Sequence, residues 1–189
     1  SSIDASDTVR YIKWQSEGFA MLSHSTTADT MQNGDCTLSQ AKARFIESKQ
    51  RLNQRGYRAK GWITPSSVLG SDFFDALHDY YSYGYTKYYG EYTGQADPPY
   101  FTFNDDPCSL SRIHLDTTLS NLEAALDLTI ENNGWMNCYI HASEMNPTKL
   151  QKLDDFLTYI DGKIATFDVK CLNPDDAYEY FYQVRRTDI

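Results

Sequence analysis

The stretch Trp135-Met136-Asn137-Cys138-Tyr139-Ile140-His141, followed by Asn146-Pro147 and then Leu150, Leu153, Leu157 and Ile160, decides the fold. The first six residues form an apolar run too short for a helix, which predicts a buried strand. The run stops abruptly at His141. Asn146 then offers an N-cap oxygen, and Pro147 suits the first helical position, where no amide hydrogen bond is lost. The apolar residues that follow recur every three or four positions and predict a helix ended by Gly162. One strand, one loop and one helix are thus written in order.

Working outward, the same unit repeats. Arg112-Ile113 begins a strand-like turn, and Leu119, Leu122, Leu126 and Ile130 form a helical stripe stopped by Asn133-Gly134. Ser6 to Glu17 has helical spacing at Val9 and Ile12 and ends at Gly18, and Phe19 to Leu22 reads as a short strand. Thr37-Leu38-Ser39-Gln40 matches a capping box, opening a helix with Leu38, Ala41, Phe45 and Leu52 that closes at Gly56. Gly61 to Thr64 reads as a strand ending at Pro65. Ser71 or Asp72 caps a helix through Phe73, Phe74, Leu77 and Tyr81, and Tyr83-Gly84-Tyr85 follows as a strand. Thr86 to Pro107 shows no period and reads as an extended loop. Ile164 to Phe167 reads as a strand, and Asn173-Pro174 opens the last helix. Alternating strands and helices predict an α/β domain with a parallel sheet or barrel and helices outside it. No internal repeat or domain boundary is visible, so residues 1–189 are expected to form a single domain. In such folds function gathers where strands end. Those positions are His24, Pro65, the Tyr83–Tyr92 region, Arg112 and His141.

Composition narrows the function classes. Net charge is −9 and the pI about 4.8. A protein that tracks nucleic-acid phosphates needs a basic face, and docking on anionic lipid needs the same. Neither partner is expected, and no apolar run is long enough for membrane insertion. Fifteen Tyr, nine Phe and three Trp instead suit contact with sugar rings. Four cysteines are widely spaced, without a Cys-x-x-Cys pair, so a structural zinc site is not expected. Cys138 reads as a buried thiol, and two disulfides remain open.

Each singled-out residue also has an ordinary reading. His24 and His141 each suit a strand end bonded to a carbonyl, or a site. Arg112 pairs with a carboxylate such as Asp116, or serves a site. Trp62 and Trp135 suit core or rim, and the tyrosines between 80 and 100 either form a contact surface or pack back over the sheet. His78 and His114 are assigned no role.

Four stretches together resemble the polysaccharide deacetylase (NodB-homology) family: "EGFAMLSHSTT", "RGYRAKGWITPSS", "SLSRIHLDTTLSNLEAALDLTIENNGW" and "WMNCYIHASEM". The resemblance implies a distorted (β/α) barrel of NodB type and metal-assisted removal of acetyl groups from a surface glycan. It implies His24 as a metal ligand, His141 as the acid and Arg112 as an orienting group. Pro65 corresponds to the proline of the family's third motif. Ala28 stands where a second metal histidine belongs, and no strand ending in paired aspartates precedes the first helix. The barrel is therefore expected to be incomplete at its N-terminal strand, the chain to be a fragment of a longer protein, and a neighbouring domain or subunit to complete it. A divalent metal such as zinc is implied by the family but expected to be absent from this chain alone. Trp62, Pro65, Tyr83, Tyr85 and Tyr88 are the expected substrate-binding residues, and a polysaccharide or cell-surface glycan the expected partner. Three functions follow: a deacetylase completed by upstream residues, a catalytically inactive glycan-binding module of a cell-wall or phage tail protein, or a purely structural domain whose barrel mouth the Tyr-rich loop fills. The first two imply an extracellular, cell-surface or virion location.

Overall fold

A computed structural model describes residues 5–26, 31–32, 34–65, 69–89, 98–102 and 104–184. The protein is a mixed α/β structure with a four-stranded sheet, in the order β1(Gly61–Ile63), β2(Tyr83–Tyr89), β3(Leu110–His114), β4(Cys138–Tyr139). β1 pairs with β2 and β3 with β4, both in parallel, as the strand-helix alternation predicts. The chain divides into two compact units, one of Ser1–Lys87, Asp106–Leu110 and Leu172–Ile189, the other of Tyr88–Asp105 and Ser111–Cys171.

In the first unit, α1 spans Ala5–Ser16 and α2 spans Leu38–Gln54. The capping box forms in both directions. The Gln40 amide donates to Thr37 Oγ1 at 3.3 Å, and the Thr37 amide donates to Gln40 Oε1 at 2.7 Å. At the far end Gly56 adopts φ +82°, a left-handed conformation that glycine takes without a Cβ penalty. α2 buries Ala41 and Phe45 against Trp62 of β1 and Leu77 of α3 (Phe74–His78). Phe45 meets Trp62 edge to face at 4.9 Å. A single 3₁₀ turn, Ser71–Phe73, preceded by Gly70, leads into α3. The chain returns through α6 (Pro174–Tyr178), capped by Asn173, and a π-helical turn at Glu179–Val184. It is tied to the sheet by Tyr83, whose hydroxyl donates to Asp175 Oδ1 at 2.7 Å, and by a Lys60–Glu179 ion pair. Burial holds the Asp175 carboxyl above its usual range.

In the second unit, α4 (Leu119–Glu131) and α5 (Pro147–Ile164) pack together. Thr118 and Asn146 cap them, accepting from the amides of Asn121 and Lys149. The core holds Ile113, Leu122, Leu126 and Phe156, each less than a tenth exposed. Across the two helices, Lys163 pairs with Asp127 Oδ1 at 2.5 Å while the Tyr159 hydroxyl donates to Asp127 Oδ2 at 2.8 Å. The Lys163 ammonium holds the Asp127 carboxyl below its usual range. A carboxylate lowered by folding stabilises above its unfolded pKa, and that contribution is lost as pH falls through the folded value. Asp127→Asn is therefore expected to melt slightly below the parent at neutral pH, both side chains being partly exposed. The gap in melting temperature closes once the pH is below the lowered pKa of Asp127.

Three expected strands are shorter or absent. Phe19 to Leu22 is not a strand; only Ser23 bridges Trp62, through Ser23 N to Gly61 O at 2.9 Å and Ile63 N to Ser23 O at 2.7 Å. Trp135 to Ile140 contributes only Cys138–Tyr139 to the parallel sheet, because Trp135 exchanges both its backbone bonds with Phe101 in an antiparallel bridge. Ile164 to Phe167 is not a strand at all. α5 runs through Gly162, and the amides of Thr166 and Phe167 still bond back to Lys163 O. In the opposite sense, the strand expected at Tyr83–Tyr85 extends to Tyr89, into the segment read as loop. Of the rest of that segment, residues 90–97 and 103 lie outside the described residues. All four cysteines are free thiols, and burial pushes the half-buried Cys138 up to about 12. Among the described residues no helix is long and apolar enough to cross a membrane.

Candidate functional site

The parallel register of β3 and β4 sets His114 beside Tyr139, and their rings meet edge to face at 4.7 Å. Two residues beyond Tyr139, His141 opens a 3₁₀ turn over Ala142–Glu144, closed by Glu144 N to His141 O at 2.9 Å. Side chains three apart eclipse in such a turn. Glu144 is thereby brought over His141, and its Oε1 lies 3.0 Å from His141 Nδ1. Its other oxygen, Oε2, lies 3.0 Å from His114 Nε2. One carboxylate thus joins two imidazoles that arrive from the ends of adjacent parallel strands.

Chemistry assigns the protons. A carboxylate only accepts, so His141 carries its proton on Nδ1 and, when neutral, presents a lone pair at Nε2. The amide of Asp116 donates to His114 Nδ1 at 3.1 Å, so neutral His114 carries its proton on Nε2 and donates it to Glu144. Partial desolvation acts to raise the Glu144 carboxyl, but the hydrogen bonds from His141 and the charges of His141 and His114 outweigh it, and the net shift is downward. The carboxylate therefore stays ionised in neutral solution. Exposure grades across the cluster: 12% for the His114 side chain, 37% for Glu144 and 61% for His141. His141 is the member that faces solvent.

A supporting ring of groups surrounds it. Arg112, 3% exposed, lies with its guanidinium over the Tyr139 ring at 5.0 Å. Arg112 and His141 thus share a neighbour in Tyr139, whose ring lies 5.9 Å from that of His141. Asp116 pairs with Lys149, which holds its carboxyl below the usual range. Lys152 donates to the carbonyls of Leu115 and Thr117 at 2.9 and 2.8 Å, pinning the loop that follows β3.

The other expected residues lie elsewhere in the chain's architecture. His24 Nδ1 lies 2.9 Å from Ile63 O, a carbonyl that accepts, so its proton sits on Nδ1. The next residue, Ser25, takes φ +66°, uncommon for a side chain other than glycine. A zinc site needs three or four protein ligands. Among the described residues two groups could hold a metal, His114–His141–Glu144 and His78–Asp106–Cys108, and neither contains His24. Ala28 lies outside the described residues. The metal centre implied by the resemblance therefore finds no matching donor set around His24 among them. The second group is chemically weaker, because burial and the neighbouring Asp106 push the Cys108 thiol far up and keep it protonated. Its Asp106 is already bonded to His78 Nε2 at 2.8 Å and to the Cys108 amide at 2.7 Å.

Of the expected sugar-contacting residues, Trp62 and Tyr83 are 0% and Tyr85 is 1% exposed, and Pro65 is buried. Tyr83 and Tyr85 share one face of β2 by the two-residue strand period, and Tyr178 stacks on Tyr83 at 5.4 Å. Trp62 packs on α2 and donates from Nε1 to Thr64 Oγ1 at 3.2 Å. These rings are occupied with the interior. The side chain of Tyr88 is outside the described part. A groove of about 710 Å³ lined by Leu119, Glu123, Asp155, Tyr159, Lys163 and Phe167 holds none of the histidines.

His114 and Glu144 are members of the candidate cluster that the sequence reading did not single out. Both had a signal: His114 is two positions after Arg112 on one strand face, and Glu144 is three positions after His141. Compared with known proteins, the chain matches no family model and no curated protein.

Proposed function

We propose that this chain is a carbohydrate-active domain of polysaccharide deacetylase type, built on a partial NodB-like barrel, that hydrolyses acetyl groups on a surface glycan with His141 as the proton-transfer group. The observation that supports it is the His141 Nδ1 to Glu144 Oε1 bond of 3.0 Å on a side chain that is 61% exposed. A carboxylate on one ring nitrogen orients the imidazole and stabilises the imidazolium, while the other nitrogen works on substrate. Water attacks the acetyl carbonyl as Nε2 takes its proton. The tetrahedral intermediate then collapses, the carbon–heteroatom bond to the sugar breaks, and Nε2 returns the proton to the leaving oxygen or nitrogen. Acetate and the free sugar group result. Arg112 acts as a positioning residue through Tyr139.

The second reading is a glycan-binding module that has lost catalysis, favoured by Ala28 standing where the resemblance expects a second metal histidine. Both readings go with an extracellular or surface-exposed setting. They are separated by incubating the protein with an acetylated oligosaccharide and assaying acetate. Release that depends on His141 supports the hydrolase. Saturable binding with no release supports the module.

A further inference from the structure

The two imidazoles and the carboxylate that meet at the ends of β3 and β4 have a second chemistry. His114, His141 and Glu144 each offer a ligand atom, and these atoms lie within 4.8 Å of one another. Both histidine–carboxylate separations are already 3.0 Å. Donors held about 2 Å from a common zinc ion lie roughly 3.3 Å apart in tetrahedral coordination, so the two histidine–carboxylate pairs open slightly and the remaining separation, no more than 4.8 Å, closes toward it. We propose that this cluster is a divalent-cation site of the zinc class, with two histidines and one glutamate as ligands and an open position toward solvent.

The proton arithmetic closes without an outside reagent. The ion takes the place of the two N–H···O bonds. His141 moves its proton from Nδ1 to Nε2, and His114 moves its proton from Nε2 to Nδ1. The relocated His114 proton has an acceptor waiting, since Asp116 Oδ2 lies 3.4 Å from Nδ1. The Asp116 amide gives up its bond to Nδ1 in exchange. A carboxylate behind a metal-bound histidine is the usual second layer of such sites, and Lys149 anchors this one through the other Asp116 oxygen. Histidine and carboxylate donors suit zinc and cobalt(II) better than calcium or magnesium, which prefer all-oxygen sets. Three protein ligands leave the fourth position to water, on the side where His141 is exposed.

This site uses none of the ligands implied by the family resemblance, and it stands whether or not the domain hydrolyses glycans. It bears on the reaction proposed above in one way. An ion on His141 Nδ1 converts that residue from a proton carrier into a ligand, so the ion-loaded protein loses the acid-base step.

The test is calorimetric titration of the full chain with zinc chloride, paired with the visible absorption of cobalt(II). The expected result is one ion per chain and an intense cobalt band of the four-coordinate type. Glu144→Gln, which keeps the hydrogen-bond acceptor and sits on the surface, and His114→Ala each weaken binding at least about 100-fold, and Asp116→Asn weakens it about 10–100-fold. His24→Ala leaves binding unchanged. Absence of stoichiometric binding, or equal binding by the parent and Glu144→Gln, overturns the proposal. Loss of binding on His24→Ala alone overturns it as well and moves the site to His24. Because the readout is binding, it fails or succeeds independently of acetate release.

Discussion

Trp62→Ala is expected to destabilise the protein by about 3–5 kcal/mol, the range for removing a buried aromatic. The ring has no exposed surface, meets Phe45 at 4.9 Å and Tyr81 at 5.4 Å, and bonds Thr64 through its indole nitrogen. Alanine leaves a cavity that α2 and β1, both fixed by backbone bonding, cannot collapse to fill. Domains of this size are stable by only about 5–15 kcal/mol, so the loss is a large share of the whole. Trp62→Phe keeps most of the ring and gives up the indole donor, so its expected cost is smaller. Chemical denaturation followed by circular dichroism measures both. A tryptophan that served as a sugar platform behaves in the opposite way: its removal leaves the midpoint nearly unchanged and weakens glycan binding. That outcome would mean the interior position assigned to Trp62 is wrong.

The second large effect concerns chemistry rather than stability. If the domain releases acetate, His141→Ala is expected to lower kcat by about 10²–10⁴-fold, the usual contribution of a positioned acid-base group. Glu144→Gln should also lower kcat, since an amide oxygen accepts the Nδ1 proton but does not balance an imidazolium. The His141 change should move the melting temperature little, because that side chain is 61% exposed, whereas Glu144 is 37% exposed and bonds both imidazoles, so its change should lower the melting temperature somewhat. Arg112→Lys separates positioning from contact. Lysine does not stack on Tyr139 as a planar guanidinium does. The expected effect is a fall in kcat with KM nearly unchanged. A rise in KM alone would place Arg112 against substrate instead. Acetate release that is indifferent to His141→Ala removes the assignment altogether.

Much of the architecture was legible because its signals are local. The capping box at Thr37–Gln40, the Asn146-Pro147 start of α5 and the stripe of α4 each act through neighbours within a turn. The failures share a physical cause. Whether Phe19–Leu22 or Trp135–Ile140 becomes a strand depends on whether a partner edge lies alongside, and that is a long-range fact. Trp135 lies alongside Phe101 and pairs with it instead. Gly162 was read as a stop, yet its backbone continues the α5 ladder, since glycine permits an end without imposing one. The candidate site shows the same division. His141 was legible from its place after an apolar run. Glu144 carried only the weak signal of its spacing three positions after His141, which counts only once a 3₁₀ turn aligns positions i and i+3. Tyr83 and Tyr85 of β2, read from the sequence either as contact surface or as packing over the sheet, are buried. A rich aromatic stretch on a strand covered by α6 is interior, and only the helix that covers Tyr83 reveals it.

The central claim is that Glu144 holds His141 with its proton on Nδ1 and its lone pair at Nε2. Long-range proton–nitrogen correlation NMR of the ¹⁵N-histidine-labelled protein, at a pH where His141 is neutral and without added metal, reads this directly. The account predicts a protonated Nδ1 and an unprotonated Nε2 for His141, and the reverse for His114, with the His141 preference lost in Glu144→Ala. A His141 that shows the Nε2–H tautomer, or a tautomer mixture unaffected by removing Glu144, contradicts it.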